Sequence, residues 1–455
     1  MTVGSNNEFK SKSSPKTGKI LKTGETLSIA KSELLMYQKT KRLAEQEGMK
    51  VSILYMVVVG FIWVLVWGSF SSGGPNRIFA VGFPKNTYDL FNGIRAYTPF
   101  LAILLSIIFM MSRRRINVMR INKPVLFLIL YGITGLCASL LSPQGLKSAN
   151  WGILFLSVPL TGWFITDYGD SMEKSKILLQ TNWVIAFLFV FYLSLGPLRP
   201  YILGKPLPNC YFFEEGTNRI TQNGVGRYAV VAALVALSRF RQKSSKINRI
   251  LWFFILAFSL NLLSISQSRT ALLGFTGGII IIFFSLKFQW ILFFAPVFAF
   301  IIYLSGFLWA AQGTWELMFD LTGRQAIWAR GLETISESPL IGFGFHADRL
   351  LMEWQHMHNA FLHALIQSGI LGTIFFIIAI YGIWGIILRK NLIKRAADVS
   401  NPDNIILSEA LAIVLFFTLR SFFESTAAFY GADLFFLVPA LLYINAYSLK
   451  EEEET

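Results

Sequence analysis

Long apolar runs separated by short polar segments dominate the chain from residue 51 to residue 448. Many of these runs reach or approach the roughly 20 residues that an α-helix needs to cross about 30 Å of hydrocarbon. The apolar positions are continuous and do not alternate, which disfavours a membrane β-barrel. A helix satisfies its own backbone hydrogen bonds in lipid. The pattern therefore predicts an all-α polytopic integral membrane protein.

About 12 transmembrane helices are predicted, with turns that contain Gly, Ser, Pro or Asn between most of them. The predicted spans are residues 51–70, 95–112, 124–142, 149–166, 181–197, 225–241, 249–266, 270–286, 289–309, 359–389, 405–421 and 432–448. We assign residues 1–50 to a basic N-terminal extension, residues 51–448 to the membrane domain and residues 449–455 to an acidic tail. A large loop, residues 310–358, lies between helices 9 and 10.

This large loop contains the sequence TGRQAIWARGLETISESPL. Thr322 is placed to cap a helix, and the helix is expected to stop before Pro339. Its apolar side would consist of Ile327, Trp328, Leu332 and Ile335. This spacing is typical of an amphipathic helix at the membrane interface.

Composition and charge agree with a membrane protein and argue against a nucleic-acid-binding one. The chain is 54% hydrophobic and carries a formal net charge of +15. Its basic residues concentrate in the N-terminal extension and in every second loop, including residues 113–123, 239–249 and 389–395. Because cytoplasmic loops are enriched in Lys and Arg, both termini are predicted to be cytoplasmic and loop 310–358 periplasmic. The two cysteines exclude a disulfide framework.

All four histidines fall between positions 346 and 363: His346, His356, His358 and His363. Histidine exchanges protons near neutral pH, so the cluster is a candidate for acid–base chemistry. Each histidine could instead only hydrogen-bond within the loop. A metal site is a further alternative, with His356, His358 and His346 as ligands. No acidic or cysteine ligand of fixed spacing accompanies them, and His358 and His363 would lie about 140° apart on a helix.

Several arginines occur at the predicted outer face. Arg269 follows Ser268 in a short turn between predicted helices 7 and 8. An arginine at a span end often extends into the lipid headgroups, but a guanidinium group can also bind a pyrophosphate in bidentate fashion. Arg219, Arg227 and Arg324 are further candidates on the same face. Arg330 is expected on a solvated surface, and Arg420 is expected to pair with Glu424 one turn later.

Three strings resemble the O-antigen ligase/polymerase superfamily of membrane glycosyltransferases: SQSRTALLGF, GRQAIWARGLETISESPLIGFGFHA and HNAFLHALIQSGILG. Upstream, RITQNGVGRYAV resembles an Arg-then-Asn stretch of that family. The resemblance maps Arg269 and Leu273 onto the family's Arg-x3-Leu motif and His358 onto its essential loop histidine. Gln367 departs from the pattern, since many relatives carry Glu there.

The resemblance implies an enzyme of the bacterial inner membrane that moves a glycan from undecaprenyl diphosphate to an acceptor hydroxyl at the periplasmic face. By analogy, His358 would be the general base and Arg269 would bind the leaving diphosphate, supplemented by Arg219, Arg227 and Arg324. We expect metal-independent, inverting chemistry without a cofactor. A ligase that uses lipid A–core as acceptor is the first interpretation. A polymerase that uses a second lipid-linked glycan is the alternative, and a membrane transporter is the alternative from another class.

Overall fold

The computed structural model describes residues 53–68, 97–111, 122–202, 222–242, 245–266, 268–284, 324–353 and 355–454. The chain divides into two compact units, residues 1–57 and residues 58–455. All the described helices except the start of the first one lie in the second unit. The predicted extension 1–50, the predicted span 289–309, Thr322 and Arg219 lie outside the described residues.

The described part of the chain is helical and contains no strand. Its helices are α1 Ile53–Gly68, α2 Thr98–Met111, α3 Lys123–Ala138, α4 Gly145–Ile165, α5 Met172–Ile202, α6 Gln222–Phe240, α7 Lys246–Ser266, α8 Arg269–Phe284, α9 Arg324–Glu337, α10 Ala347–Leu351, α11 Ala360–Arg389, α12 Leu392–Arg395, α13 Pro402–Arg420 and α14 Ala432–Glu454. Seven of them (α3, α4, α5, α7, α11, α13 and α14) are long and apolar enough to cross a membrane, and α1, α2 and α8 are shorter apolar helices. The all-helical polytopic fold is therefore confirmed, while the number of twelve spans stays a prediction.

Helices α13 and α14 form the centre of the bundle, because almost all of their side chains are buried. α8 packs on α13, α5 packs on α14, and α11 packs on α3. Large apolar side chains such as Phe253 and Leu388 remain exposed on peripheral helices. A water-soluble fold rarely exposes so much apolar surface, whereas lipid accepts it.

Buried ion pairs occur at the two ends of the bundle. At one end, Glu409 of α13 receives hydrogen bonds from Arg239, with N–O distances of 2.7 and 3.1 Å. The guanidinium group of Arg239 also lies 4.7 Å from the ring centre of Trp183 and 5.0 Å from that of Trp252. Such pairing offsets the desolvation of a buried charge. The other end contains the histidines, and we call it the histidine end.

A break in the helical conformation at Gly369 allows the loop before α10 to form backbone hydrogen bonds with α11. Gly369 has φ 60° and ψ −166°, which no helical residue adopts. The interruption frees the carbonyl groups of Ile366 and Gln367, which accept hydrogen bonds from the N–H groups of Phe343 (2.9 Å) and Gly344 (2.8 Å). The conformation of Gly369 thereby anchors the loop that leads to the histidines.

Gly369→Ala should destabilise the protein by about 3 kcal/mol or more, because alanine disfavours this φ and its Cβ would collide with the backbone of Leu340 and Ile341. Gly385→Ala in the same helix is the matched control. No neighbouring atom lies within 4 Å of its added Cβ, so that variant should be neutral or stabilised by up to about 1 kcal/mol. Thermal unfolding in detergent measures both, and equal midpoints would contradict the role of Gly369.

The loop helix is confirmed as α9, Arg324–Glu337, which ends before Pro339. Ile335 is buried and packs in an apolar cluster with Met357 and Ile366. Leu332 is 51% exposed and does not pack into this cluster, so its place on a membrane-facing apolar side stays a prediction. Gly331 and Ile335 are one helical turn apart and face the protein, which rotates Leu332 away from it.

Candidate functional site

His358 is held by backbone contacts immediately before α11. Its backbone has a positive φ of 47°. On one side, Trp328 of α9 donates a hydrogen bond of 2.6 Å to the carbonyl group of Met357. On the other side, Asn359 caps the helix by accepting two backbone N–H groups at 3.0 Å, and it donates to the carbonyl group of Phe422. The imidazole ring is therefore anchored between α9, α11 and the turn after α13.

Glu424, in the turn after α13, is the carboxylate that holds His358. Its Oε2 lies 3.2 Å from Nδ1 of His358, and its Oε1 lies 3.2 Å from a guanidinium nitrogen of Arg324. Burial alone would raise the pKa of Glu424, but the hydrogen bond from His358 and the charges of Arg420 and Arg324 keep this pKa below its usual value. An ionised carboxylate only accepts hydrogen bonds. His358 therefore donates through Nδ1, and Nε2 is the nitrogen left to accept a proton.

Asn223 connects Glu424 to the start of α8. Its amide group donates to Oε1 of Glu424, and its Oδ1 accepts hydrogen bonds from the hydroxyl groups of Ser268 (2.6 Å) and Thr270 (3.3 Å). Ser268 also caps α8 by accepting a backbone N–H group at 3.3 Å. Arg269 lies between these two hydroxyl residues and is the first residue of α8.

A second ion-pair group at the histidine end consists of Arg227, Asp433 and Arg420. Asp433 accepts a hydrogen bond of 2.9 Å from Arg227 through one oxygen and pairs with Arg420 through the other. The expected pairing of Arg420 with Glu424 is wrong. The N–H group of Glu424 bonds back to the carbonyl of Arg420, and its side chain pairs with Arg324 and His358 instead.

His356, His363, Asp348 and Ser425 form a separate polar cluster. His363 Nδ1 lies 2.9 Å from the Ser425 hydroxyl and 3.4 Å from Oδ2 of Asp348. His356 Nδ1 accepts the backbone N–H of His358 at 3.1 Å and lies 3.3 Å from the Ser425 hydroxyl. Burial lowers the pKa of His356 and raises the pKa of Asp348.

The fourth histidine, His346, lies apart from these groups. Its ring stacks on Trp151 with 3.9 Å between the ring centres and 18° between the planes. Its side chain is buried, and burial lowers its pKa well below the usual value. A stacked, buried imidazole of this kind is a packing group.

Gln367 occupies the position where the resemblance leads us to expect Glu. It lies 2.9 Å from the hydroxyl group of Tyr131, which in turn donates to the carbonyl group of Ala428 at 2.6 Å. The hydroxyl group has one proton, which is shared between Oε1 of Gln367 and the carbonyl oxygen of Ala428. The uncharged amide of Gln367 thus takes part in a contact that joins α11, α3 and the turn before α14.

The structure brings four of the five predicted site residues to the histidine end: His358, Arg269, Arg227 and Arg324. Arg219 lies outside the described residues. Sequence reasoning missed Glu424 as the partner of His358, and it missed Asn223 and Asp433 as connecting residues. The only signal for Asn223 was its position in the motif-bearing string that leads into α6. The two acidic residues come from a turn and a helix start that carry no recognisable motif.

Two comparisons with known proteins match this chain. Residues 253–377, which include Arg269, Arg324 and His358, match the family model described as O-antigen ligase. The chain is also 28% identical over 124 residues to the exopolysaccharide production protein ExoQ of Rhizobium meliloti (strain 1021). That alignment covers 23% of this chain and 26% of the length of ExoQ.

Proposed function

We propose, from the premise that residues 253–377 belong to the O-antigen ligase/polymerase superfamily, that this membrane protein is a glycosyltransferase. It would move a glycan from undecaprenyl diphosphate to an acceptor hydroxyl at the membrane surface. The single observation that supports this most is the chain of hydrogen bonds from His358 through Glu424 and Asn223 to the residues on either side of Arg269. A proton acceptor and a phosphate-binding group are thereby held at one end of one bundle.

His358 would act as the general base. Glu424 orients the ring through Nδ1, so Nε2 takes the proton from the acceptor hydroxyl as the hydroxyl oxygen attacks. The His358 side chain is 34% exposed, which leaves it open to a substrate that arrives at the membrane surface. The negative charge of Glu424 also stabilises the imidazolium that forms.

The arginines would bind the diphosphate. Arg227, Arg324 and Arg420 carry three positive charges against the two negative charges of Asp433 and Glu424 with which they pair, and Arg269 adds a further cation at the start of α8. A dialkyl-type diphosphate carries about two negative charges and gains more charge density as the glycosyl bond breaks. The start of α8 adds the positive end of a helix dipole beside Arg269.

In this reaction the acceptor oxygen forms a bond to the anomeric carbon, and the bond between that carbon and the phosphate oxygen breaks. The bonding electron pair leaves with the diphosphate, and the acceptor proton goes to His358. Attack opposite the leaving group inverts the anomeric centre. The protein's own residues supply base and charge stabilisation, and the proposed step uses no metal ion and no cofactor.

Two acceptors are compatible with the same donor site. The family description, O-antigen ligase, favours transfer to lipid A–core. The name of the relative, an exopolysaccharide production protein, favours a second lipid-linked glycan as acceptor. We retain the ligase as the first proposal, because the matching family model carries that description, and the polymerase as the second.

Purified protein with a defined undecaprenyl-diphosphate-linked repeat tests both proposals in one assay. A ligase attaches the repeat to lipid A–core, whereas a polymerase yields carrier-linked dimers and longer chains without it. Failure to form either product with the wild-type protein would contradict the proposed glycosyl transfer.

Glu424→Gln should lower the turnover number by about tenfold or more, since the amide no longer orients and stabilises a protonated His358. Glu353→Gln is a matched control, because Glu353 is an exposed glutamate between α10 and His358 that pairs with Arg330 and not with His358 in the described residues. Steady-state transfer rates measure both. Equal rates for the two variants would remove Glu424 from the mechanism.

We also propose that the histidine end faces the periplasm and that the chain resides in the bacterial inner membrane with both termini inside. The distribution of basic residues supports this orientation. Single cysteines introduced at Glu353 and at Arg249, both exposed and at opposite ends of the bundle, distinguish the two faces. A membrane-impermeant thiol reagent should label position 353 and not position 249 in cells with a permeable outer membrane, and the reverse labelling would contradict the orientation.

A further inference from the structure

The cluster of Asp348, His356 and His363 has the composition and geometry of a metal site. Each residue offers one ligand atom, and the three atoms lie within 4.8 Å of one another. Asp348 is fully buried and the His363 side chain is 2% exposed, while His356 is partly buried. The residues come from α10, the loop before α11 and α11 itself.

Two atoms of this cluster lack partners that a buried polar atom needs. Oδ1 of Asp348 and Nε2 of His363 have no hydrogen-bond partner within the described part of the chain. Asp348 also forms no ion pair with a lysine or arginine there, and the guanidinium group of neighbouring Arg349 lies 5.8 Å from the ring centre of Phe429. Oδ2 of Asp348 has long contacts to His363 and to the N–H group of Met357, both at 3.4 Å, but a buried carboxylate with its other oxygen unpaired is costly, and a bound cation reduces that cost.

We propose that Asp348, His356 and His363 bind one divalent zinc ion. Two imidazole groups and one carboxylate form a ligand set that Zn²⁺ accepts in tetrahedral geometry, with a solvent molecule at the fourth position. Ligand atoms around Zn²⁺ are roughly 3.3 Å apart, so the side chains need to move by about 1 Å to close on the ion. This ligand set differs from the one that the sequence suggested, since it includes Asp348 and His363 and leaves out His346 and His358.

The ion would have a structural role. It ties α10 and the loop before α11 to α11, and His356 is the residue whose ring accepts the backbone N–H of His358. Nδ1 of His358 is hydrogen-bonded to Glu424, so His358 is not one of the proposed metal ligands. The proposal concerns metal binding alone and stands whether or not the protein transfers glycans.

Metal analysis of the protein, purified in detergent through a tag without histidines, tests the site. We expect about one zinc ion per chain after growth with Zn²⁺, and a fall of at least about tenfold in Asp348→Asn and in His363→Gln, each of which removes one ligand. His346→Gln is the matched control, since His346 is a buried histidine of the same loop outside the triad. It should retain the ion.

A second measurement uses the unmodified protein and does not depend on how the variants fold. Chelator-treated wild-type protein should regain several degrees in its unfolding midpoint when Zn²⁺ is added, because the ion binds the folded state. Substoichiometric zinc in the purified wild type together with an unchanged midpoint on addition of Zn²⁺ would overturn the proposal. Retention of full zinc content by folded Asp348→Asn and His363→Gln would overturn it as well.

Discussion

His358→Ala should abolish glycan transfer in a protein that still folds and inserts. Removal of a general base lowers the turnover number by about 10²–10⁴-fold. The imidazole side chain is 34% exposed, but its loss removes a hydrogen bond from the buried Glu424, so the unfolding midpoint should fall by a few degrees while the protein stays folded. Transfer rates with a lipid-linked donor and thermal unfolding in detergent measure the two effects separately.

The neighbouring histidine supplies the control for this experiment. His346→Gln changes a residue that stacks on Trp151 and does not contact Glu424 in the described structure. It should transfer glycan at a rate close to wild type. A folded His358→Ala protein with near-normal product would show that another group takes the proton.

Arg269→Ala should lower the turnover number by about 10²–10³-fold, because a preorganised donor of charge-assisted hydrogen bonds to the leaving diphosphate is lost. Arg269→Lys should recover only part of this loss, since lysine keeps the charge but not the two-pronged geometry of the guanidinium group. A cation at the first residue of a helix opposes the helix dipole, so α8 itself does not lose stability when this charge is removed. Thermal unfolding in detergent identifies the variants that remain folded, and transfer rates are compared between those.

Arg249→Ala is the matched control for this charge. Arg249 lies in the first turn of α7, at the opposite end of the bundle from the start of α8, and it is exposed. Its removal changes the net charge by the same amount and should leave transfer unchanged. Equal activity of folded Arg269→Ala and Arg249→Ala would contradict a role of Arg269 in binding diphosphate.

Helix positions were predictable from the sequence because lipid imposes a strong constraint on length and hydropathy. Helices such as α11 and α13 therefore lie within a few residues of their predicted bounds. The break at Gly369 was not predictable, because a hydropathy pattern carries no information about backbone φ angles. Only the approach of residues 339–344 shows why a glycine is needed there.

Some residues of the candidate site were likewise predictable from the sequence, and others were not. His358 and Arg269 were found because each stands in a short motif or an unusual cluster. Glu424 was assigned to Arg420 on the basis of helical spacing, but α13 ends at Arg420, and a spacing rule for helices does not hold beyond the end of a helix. Asp348 was not connected to His363 because 15 positions separate them and only the fold brings them together.

The most direct test of the central claim is the stoichiometry of the proposed reaction in the purified protein. With a labelled undecaprenyl-diphosphate-linked glycan and an acceptor, the wild type should release one undecaprenyl diphosphate for every glycosidic bond formed. Both products should disappear together in His358→Ala and in Arg269→Ala. Transfer without diphosphate release, or undiminished transfer in either folded variant, would contradict the account.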